Sequence, residues 1–259
     1  MKNCRFTVVA RLDAASAQMK EELIRTLLSD GCVEDEAHPD VVFVVGGDGT
    51  FIYAVHMYLD QLDHVRFYGI HTGTLGFYTD FHSDEFDAFL ECFRKEEYTE
   101  ESYPLLEART SNAVYYGMNE IRIENAARTQ EMDIYINGSL FEKYRGTGIC
   151  VCTQLGSTAY NRSLGGAVAQ DGLDIIEMTE ISGIHHNKYR SLGAPLLMRM
   201  DTQIRLDAVK YEGALLGADS DVYYIDNEHS VSIAVSNTKK VRMLKGRQIS
   251  WFDRIQILF

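Results

Sequence analysis

The run Val41-Val42-Phe43-Val44-Val45-Gly46-Gly47-Asp48-Gly49-Thr50 decides how the chain is read. Its first five residues are β-branched or aromatic without a polar break, as in a strand buried on both faces of a parallel sheet. Gly46-Gly47 then turns the chain, Asp48 is presented, and Phe51 to Leu59 reads as a helix. The order is strand, glycine turn, carboxylate, helix N-terminus. In open α/β sheets ligands lie outside the carboxyl ends of the strands. A helix N-terminus there offers free N–H groups and a positive dipole end to phosphate, and glycines let phosphate approach the backbone. A phosphate-adjacent loop is therefore expected at Gly46, Gly47, Asp48 and Gly49, in preference to a plain tight turn with a solvated acid. Neither Gly-x-x-x-x-Gly-Lys-Ser/Thr nor Gly-x-Gly-x-x-Gly occurs, and the nearest approach, Gly146-Thr147-Gly148, lacks the third glycine.

Working outward, Arg5 to Ala10 reads as a strand. Residues 14–29 read as an amphipathic helix, with Met19, Leu23 and Leu27 at i+4 spacing and Gly31 as its cap. Val65 to His71 predicts a further strand leading into Thr72-Gly73-Thr74-Leu75-Gly76-Phe77. Ser83 is expected to cap a helix carrying Phe86, Phe89, Leu90 and Phe93 on one face. Alternating strands and helices predict an α/β N-terminal domain with a parallel sheet, and two glycine loops opening on one crevice.

After Tyr98 the runs become short and alternating: Ala113–Ile123, Met132–Ile136, Leu140–Tyr144, Ile149–Cys152, Gln203–Val209, Val222–Ile225, Val231–Val235 and Val241–Leu244. Asn137-Gly138 is a type I′ hairpin signal, and the only helical candidate is Ser157 to Leu164. This pattern predicts a C-terminal β-sandwich-like domain. Trp251 to Phe259 is too apolar to hang in solvent, so the chain's tail is expected to return to the N-terminal domain. The expected division is 1–98 plus 245–259 against 99–244.

The 259 residues suit one large domain or two modest ones. No apolar run reaches the ~18 residues of a membrane span, and strand-like sequence follows Met1-Lys2-Asn3 at once, which argues against a signal peptide. Five scattered cysteines give no disulfide framework and fit a reducing cytoplasm. A net charge of −13 disfavours nucleic acid and anionic membranes as partners. It also repels ATP, so a nucleotide site must import positive potential from a helix end, an arginine or bound Mg²⁺.

Several other residues invite a chemical reading. Asn119-Glu120 is either a polar pair at a strand edge or an amide and carboxylate reading ribose hydroxyls or an adenine edge. Strict alternation puts the two on opposite faces, so touching one ligand requires a bulge or a strand end between them. Gly156 to Ser163 is rich in hydroxyls: a capped polar loop, or a pocket in which Tyr160 lies against a flat base. The Gly-x-Ser-x-Gly elbow of a serine nucleophile is absent. Arg145 is either a surface arginine or a source of charge for an anion. Cys150 and Cys152 read as buried thiols. The adjacent His185-His186 point apart on a strand, and no residue set has zinc-site spacing.

Together, Gly46-Gly47-Asp48-Gly49-Thr50, His71-Thr72-Gly73, Leu75-Gly76-Phe77-Tyr78, Asn119-Glu120, Arg145-Gly146, Gly156-Ser157-Thr158-Ala159-Tyr160-Asn161 and Ser163-Leu164-Gly165-Gly166-Ala167 resemble the bacterial NAD kinases in order and spacing. Gly-Gly-Asp-Gly alone is shared with lipid kinases and phosphofructokinases, whereas the combination is far more selective. The resemblance implies transfer of phosphate from ATP to the 2′-hydroxyl of the adenosine ribose of NAD(H), with Mg²⁺ or another divalent cation, in a homotetramer or dimer. It implies that Asp48 orients and deprotonates the hydroxyl and that Asn119 and Glu120 hold NAD. Thr158, Ala159, Tyr160, Asn161 and Ser163 would line the nucleotide pocket. Gly46, Gly47, Gly49, Phe77 and Thr147 fall in segments that face the nucleotide, and Arg145 is implied to reach it from a neighbouring subunit.

The chain departs from the family pattern at Thr147, where an acid is usual, at Gln154 and Leu155, and at Ser220 after Asp219. These departures keep open a nucleotide-binding homologue with weak or lost turnover. A lipid or sugar kinase sharing the aspartate is the other alternative.

Overall fold

The computed structural model describes residues 4–185, 188, 189 and 191–259; Met1–Asn3 and His186 lie outside the described residues. The chain divides into two compact units, residues 1–103 with 239–259, and residues 104–238.

The first unit opens with β1 (Arg5–Ala10), α1 (Ala14–Ser29), the two-residue β2 (Val33–Glu34), β3 (Val41–Val45) and α2 (Asp48–Met57). It continues through β4 (Arg66–His71), the short β5 (Phe81–His82) and α3 (Phe86–Arg94). β1 pairs in parallel with both β2 and β3, and β3 pairs in parallel with β4. The order β2-β1-β3-β4 reverses between β1 and β3, the kind of switch point at which ligands bind in doubly wound sheets. All five residues of β3 are buried, as expected of a central parallel strand. Phe43 makes edge contacts with Phe6, Tyr68, Phe89 and Phe93 at ring separations of 4.9–6.1 Å.

Two boundaries differ from the sequence reading. α2 begins at Asp48 rather than Phe51, because Gly47 serves as its cap and an acid in the first turn suits the helix dipole. Before α3, a 3-10 turn over Ser83–Glu85 intervenes; His82 rather than Ser83 caps that turn, and Glu85 reaches back to the His82 N–H at 3.0 Å.

The chain crosses to the second unit within β6 (Thr99–Arg109). There follow β7 (Val114–Gly117), β8 (Glu120–Glu124), β9 (Gln130–Ile136), β10 (Ser139–Gly146) and β11 (Gly148–Thr153). The single turn α4 (Tyr160–Ser163) precedes β12 (Ile175–Ile181), β13 (Leu196–Arg199), β14 (Ile204–Asp207), β15 (Leu215–Ala218), β16 (Asp221–Tyr224) and β17 (Ser230–Lys245). One antiparallel sheet runs β13-β12-β11-β8-β15-β16. β10, β9, β14 and the first part of β17 form a second antiparallel array. Ile121, Ile123, Ile149 and Val151 from the first share a core with Met132, Ile134, Ile204, Leu206, Val231 and Ile233 from the second, as in a sandwich. Asn137 and Gly138 both sit at positive φ, 49° and 81°, as a type I′ turn requires.

From Lys239 the chain is again in the first unit, where Met243 of β17 pairs in parallel with Phe67, and it closes with α5 (Trp251–Leu258). The expected return of the tail is seen: Trp251, Ile255 and Leu258 are half-buried, Phe252, Ile257 and Phe259 are exposed, and the fully buried residue of α5 is Arg254. No helix among the described residues is long and apolar enough to cross a membrane.

Phe43→Ala removes the ring that four others pack against. It is expected to destabilise the first unit by about 3–5 kcal/mol, read as an earlier urea transition in the fluorescence of Trp251, the sole tryptophan.

Candidate active site

In the first unit the chain leaves β3 through Gly46, whose N–H donates to the Ile70 carbonyl at 3.0 Å. A Cβ at Gly47 or Gly49 would meet nothing within 4 Å. Packing therefore does not demand glycine at either position. Bare backbone at the start of α2 faces open space, an arrangement that suits an incoming phosphate.

Asp48 is held through both carboxylate oxygens. The Phe77 N–H donates to Oδ2 at 2.9 Å and the Tyr78 N–H to Oδ1 at 3.1 Å. The approach is so close that a Cβ on Gly76 would fall on the carboxylate, which makes glycine obligatory there. Burial pushes the Asp48 carboxyl above its ordinary range, against the pull of the two N–H donors and of the Lys245 and Arg254 charges. The gripping loop is fixed in its turn. Arg254 donates to the Gly76 and Thr79 carbonyls, each at 2.7 Å, and pairs with the buried Asp80. Lys245 donates to the Phe77 carbonyl at 3.2 Å and lies 3.6 Å from Asp80. At the other end of the loop, His71 Nδ1 is 2.8 Å from the Gly73 carbonyl, and burial lowers its pKa.

In the second unit the alternating run breaks at Met118-Asn119, between β7 and β8. This is the strand end that a shared ligand for Asn119 and Glu120 requires. Asp219, at φ 52° between β15 and β16, shapes the break. Its carboxylate accepts the N–H groups of Met118 and Asn119 at 2.7 Å and of Glu120 at 3.1 Å. Thr153 closes the other side, its hydroxyl donating to the Met118 carbonyl at 2.8 Å and its N–H to the Asn119 carbonyl at 2.8 Å.

Glu120 is only 5% exposed. Its Oε1 lies 3.3 Å from Arg122, and its Oε2 has no partner among the described residues. Burial and the nearby Asp219 charge push its pKa up to about 7, against the pull of Arg122. A buried carboxylate oxygen left open is suited to a ligand hydroxyl or amino group. The Arg122 guanidinium also lies over the Tyr160 ring at 5.1 Å, so Glu120, Arg122 and Tyr160 are brought together.

Asn161 is fully buried and engaged. Its Nδ2 donates to Glu177 at 2.9 Å, and its Oδ1 accepts from the Thr179 hydroxyl at 2.7 Å. Glu177 also accepts the Ala167 N–H at 2.7 Å, which sets the path of the 157–167 segment. Along it, Thr158 donates to the Leu155 carbonyl at 3.3 Å, the Ala159 N–H to Gly156 at 3.0 Å, and the exposed Ser163 to the Tyr160 carbonyl at 2.6 Å. Arg145 lies 3.7 Å from Glu131 and over the Tyr189 ring at 5.7 Å. Thr147 joins β10 to β11, its N–H donating to Ile181 and its carbonyl accepting from Asn125. Sequence reasoning did not single out the anchoring roles of Asp80, Arg122, Glu177, Asp219, Lys245 and Arg254. An acid followed by a positive-φ turn, or an arginine inside an apolar tail, was the available signal.

This is the architecture of a nucleotide kinase with an acid at a helix N-terminus. The chain matches the ATP-NAD kinase N-terminal domain over residues 5–98 and the ATP-NAD kinase C-terminal domain over residues 118–245. It belongs to the ATP-NAD kinase family. It is 34% identical to an NAD kinase of Latilactobacillus sakei over 98% of this chain and 97% of that protein. It is 38% identical to one of Leuconostoc mesenteroides over 94% of each. The fold is shared with an NAD kinase of Archaeoglobus fulgidus in complex with ATP, at TM-score 0.79 and 22% identity over 98% of this chain and 100% of that one. It is also shared with yeast NADH kinase complexed with NADH, at TM-score 0.79 and 18% identity over 100% and 86%.

Glu120 carries a pH signature. Its carboxyl titrates at 4.5 in the unfolded chain and about 7 in the fold, so its contribution to stability is present below 4.5 and lost as pH rises through 7. Glu120→Gln, which cannot ionise, is expected to be more stable than wild type by up to about 3 kcal/mol above that range. The difference should vanish in acid, as chemical denaturation across pH will report.

Proposed function

We propose that the chain is an NAD kinase, transferring the γ-phosphoryl group of ATP to the 2′-hydroxyl of the adenosine ribose of NAD(H) to give NADP(H). The observation that carries this is the Asp48 carboxylate, fixed by two backbone N–H groups in the first turn of a helix whose neighbouring glycines face open space. The 2′-oxygen attacks the γ-phosphorus, the bond from that phosphorus to the β–γ bridging oxygen breaks, ADP leaves, and the hydroxyl proton passes to Asp48. An ordinary carboxylate, near ~3.9, is a weak base for a hydroxyl. The loose transition state of phosphoryl transfer demands proton removal late, so position matters more than basicity. The raised pKa of Asp48 adds to its basicity.

Gly46, Gly47, Gly49 and Phe77 frame the phosphates. Asn119 and Glu120 hold the dinucleotide, with the open Oε2 of Glu120 as an acceptor. Thr158, Ala159, Tyr160 and Ser163 line the base and ribose. Asn161 acts through the path of that segment, given its internal hydrogen bonds. Arg145 contributes its charge at a subunit contact of a homotetramer or dimer. Thr147, in place of the family's acid, weakens dinucleotide affinity or alters the choice between NAD and NADH. No group of three or more metal-ligating side chains is assembled among the described residues, so Mg²⁺ or another divalent cation would be carried by the triphosphate, as is common for Mg²⁺. When bound it neutralises phosphate charge. The two units correspond to a phosphate-loop domain and a dinucleotide-binding domain of a cytoplasmic enzyme.

Incubation with ATP, Mg²⁺ and NAD should yield NADP, detected with an NADP-specific dehydrogenase. Asp48→Asn is expected to lower turnover by at least ~10²-fold while NAD binding stays near wild type. Wild-type turnover in that variant overturns the assignment.

A further inference from the structure

We infer that Arg254, on the C-terminal helix α5, is a positioning residue for the proposed phosphoryl transfer, holding the catalytic acid in place through the Gly76–Asp80 loop. The inference rests on the functional reading above and extends it to a residue far along the chain.

The chain of contacts is short. Arg254 Nη1 donates to the carbonyls of Gly76 and Thr79, both at 2.7 Å, and Nη2 pairs with the Asp80 carboxylate. Gly76 and Thr79 bracket Phe77 and Tyr78, whose N–H groups are the two donors to Asp48. One planar guanidinium therefore fixes both ends of the two-residue segment that grips the acid. Arginine suits this task because its donors form a rigid fork; lysine carries the same charge at a single point. Asp80 is held from two further directions, by the Gly246 N–H at 3.1 Å and by Lys245 at 3.6 Å.

Arg254 is 6% exposed and sits at the centre of the inner face of α5, with half-buried Trp251, Ile255 and Leu258 at i−3, i+1 and i+4 around it, while Phe252 and Ile257 stay in solvent. The fully buried side chain of that face is therefore a cation, and its hydrogen-bond partners all belong to one loop.

A positioning residue changes turnover more than substrate affinity, because a small displacement of the acid weakens only the reacting geometry. Arg254→Lys keeps the charge opposite Asp80, and so the fold, while losing the fork. Its kcat is expected to fall about ten- to a hundredfold with KM for NAD near wild type. Amide hydrogen exchange across residues 76–80 should accelerate, since the Phe77 and Tyr78 N–H groups lose their fixed acceptor. In Arg254→Ala, guanidinium ion at a non-denaturing concentration should restore part of both. Unchanged exchange in the loop of Arg254→Lys, or wild-type kcat in that variant, overturns the inference. A fall in kcat matched by a general rise in exchange throughout the first unit also overturns it, by showing a merely structural role. If wild-type protein makes no NADP, the kinase reading fails, and loop exchange alone then decides whether Arg254 sets the grip on Asp48.

Discussion

Two peptide N–H groups, those of Phe77 and Tyr78, hold the Asp48 carboxylate, and much of the first unit is arranged to let them. The parallel register places Val44 opposite Gly69 and Val45 opposite Ile70, so β3 and β4 end together and their following loops emerge side by side. The second loop must then pass within hydrogen-bonding distance of the acid, which leaves no room for a side chain at Gly76. A carboxylate that satisfies both oxygens with backbone donors loses its rotational freedom. That lost freedom is what the proposed phosphoryl transfer, governed by alignment, would draw on. Burial raises the proton affinity of the same group, so one environment supplies both orientation and basicity.

The second unit uses the same device repeatedly. Asp219 collects three successive N–H groups, Glu177 collects that of Ala167, and the buried Glu228 collects that of Ser111 at 2.9 Å. Each fixes a bend whose backbone donors would otherwise lack partners. Several acids in a chain of net charge −13 therefore act as internal fasteners. Glu120 differs from these three in that its carboxylate accepts no backbone N–H: it is buried with Oε2 open, beside Arg122.

Residue order made some of this legible. An unbroken Val/Phe run announced β3, Asn137-Gly138 announced its hairpin, and the change from helical to alternating periodicity separated the two kinds of structure. Six strands lay outside the expected runs, and the two-residue β2 and β5 are too short to show a period. β12 buries Glu177 and Thr179 among its apolar residues, which hides its period. β6 carries Pro104 and a cluster of acids, and β13 and β15 are only four residues long. At the site, Asp48, Asn119 and Glu120 stood out because they sit beside glycine turns or interrupt an apolar run. Their supports did not. Asp219 reaches its donors across 99 to 101 residues and Arg254 reaches its acceptors across 174 to 178, and local pattern carries no record of such distances.

The last of those separations bears on how the protein is made. The loop that grips Asp48 leaves the ribosome well before Arg254 is added, an interval of roughly 10–35 s at ordinary elongation rates of about 5–20 residues per second. During that time the nascent α/β unit also lacks the second part of β17 and Lys245, so the carbonyls of Gly76 and Thr79 wait without their guanidinium. The polypeptide that carries the acid is thus synthesised early and completed late, and a truncated translation product ending before α5 contains Asp48 and all of the 76–80 loop without the guanidinium that bridges that loop.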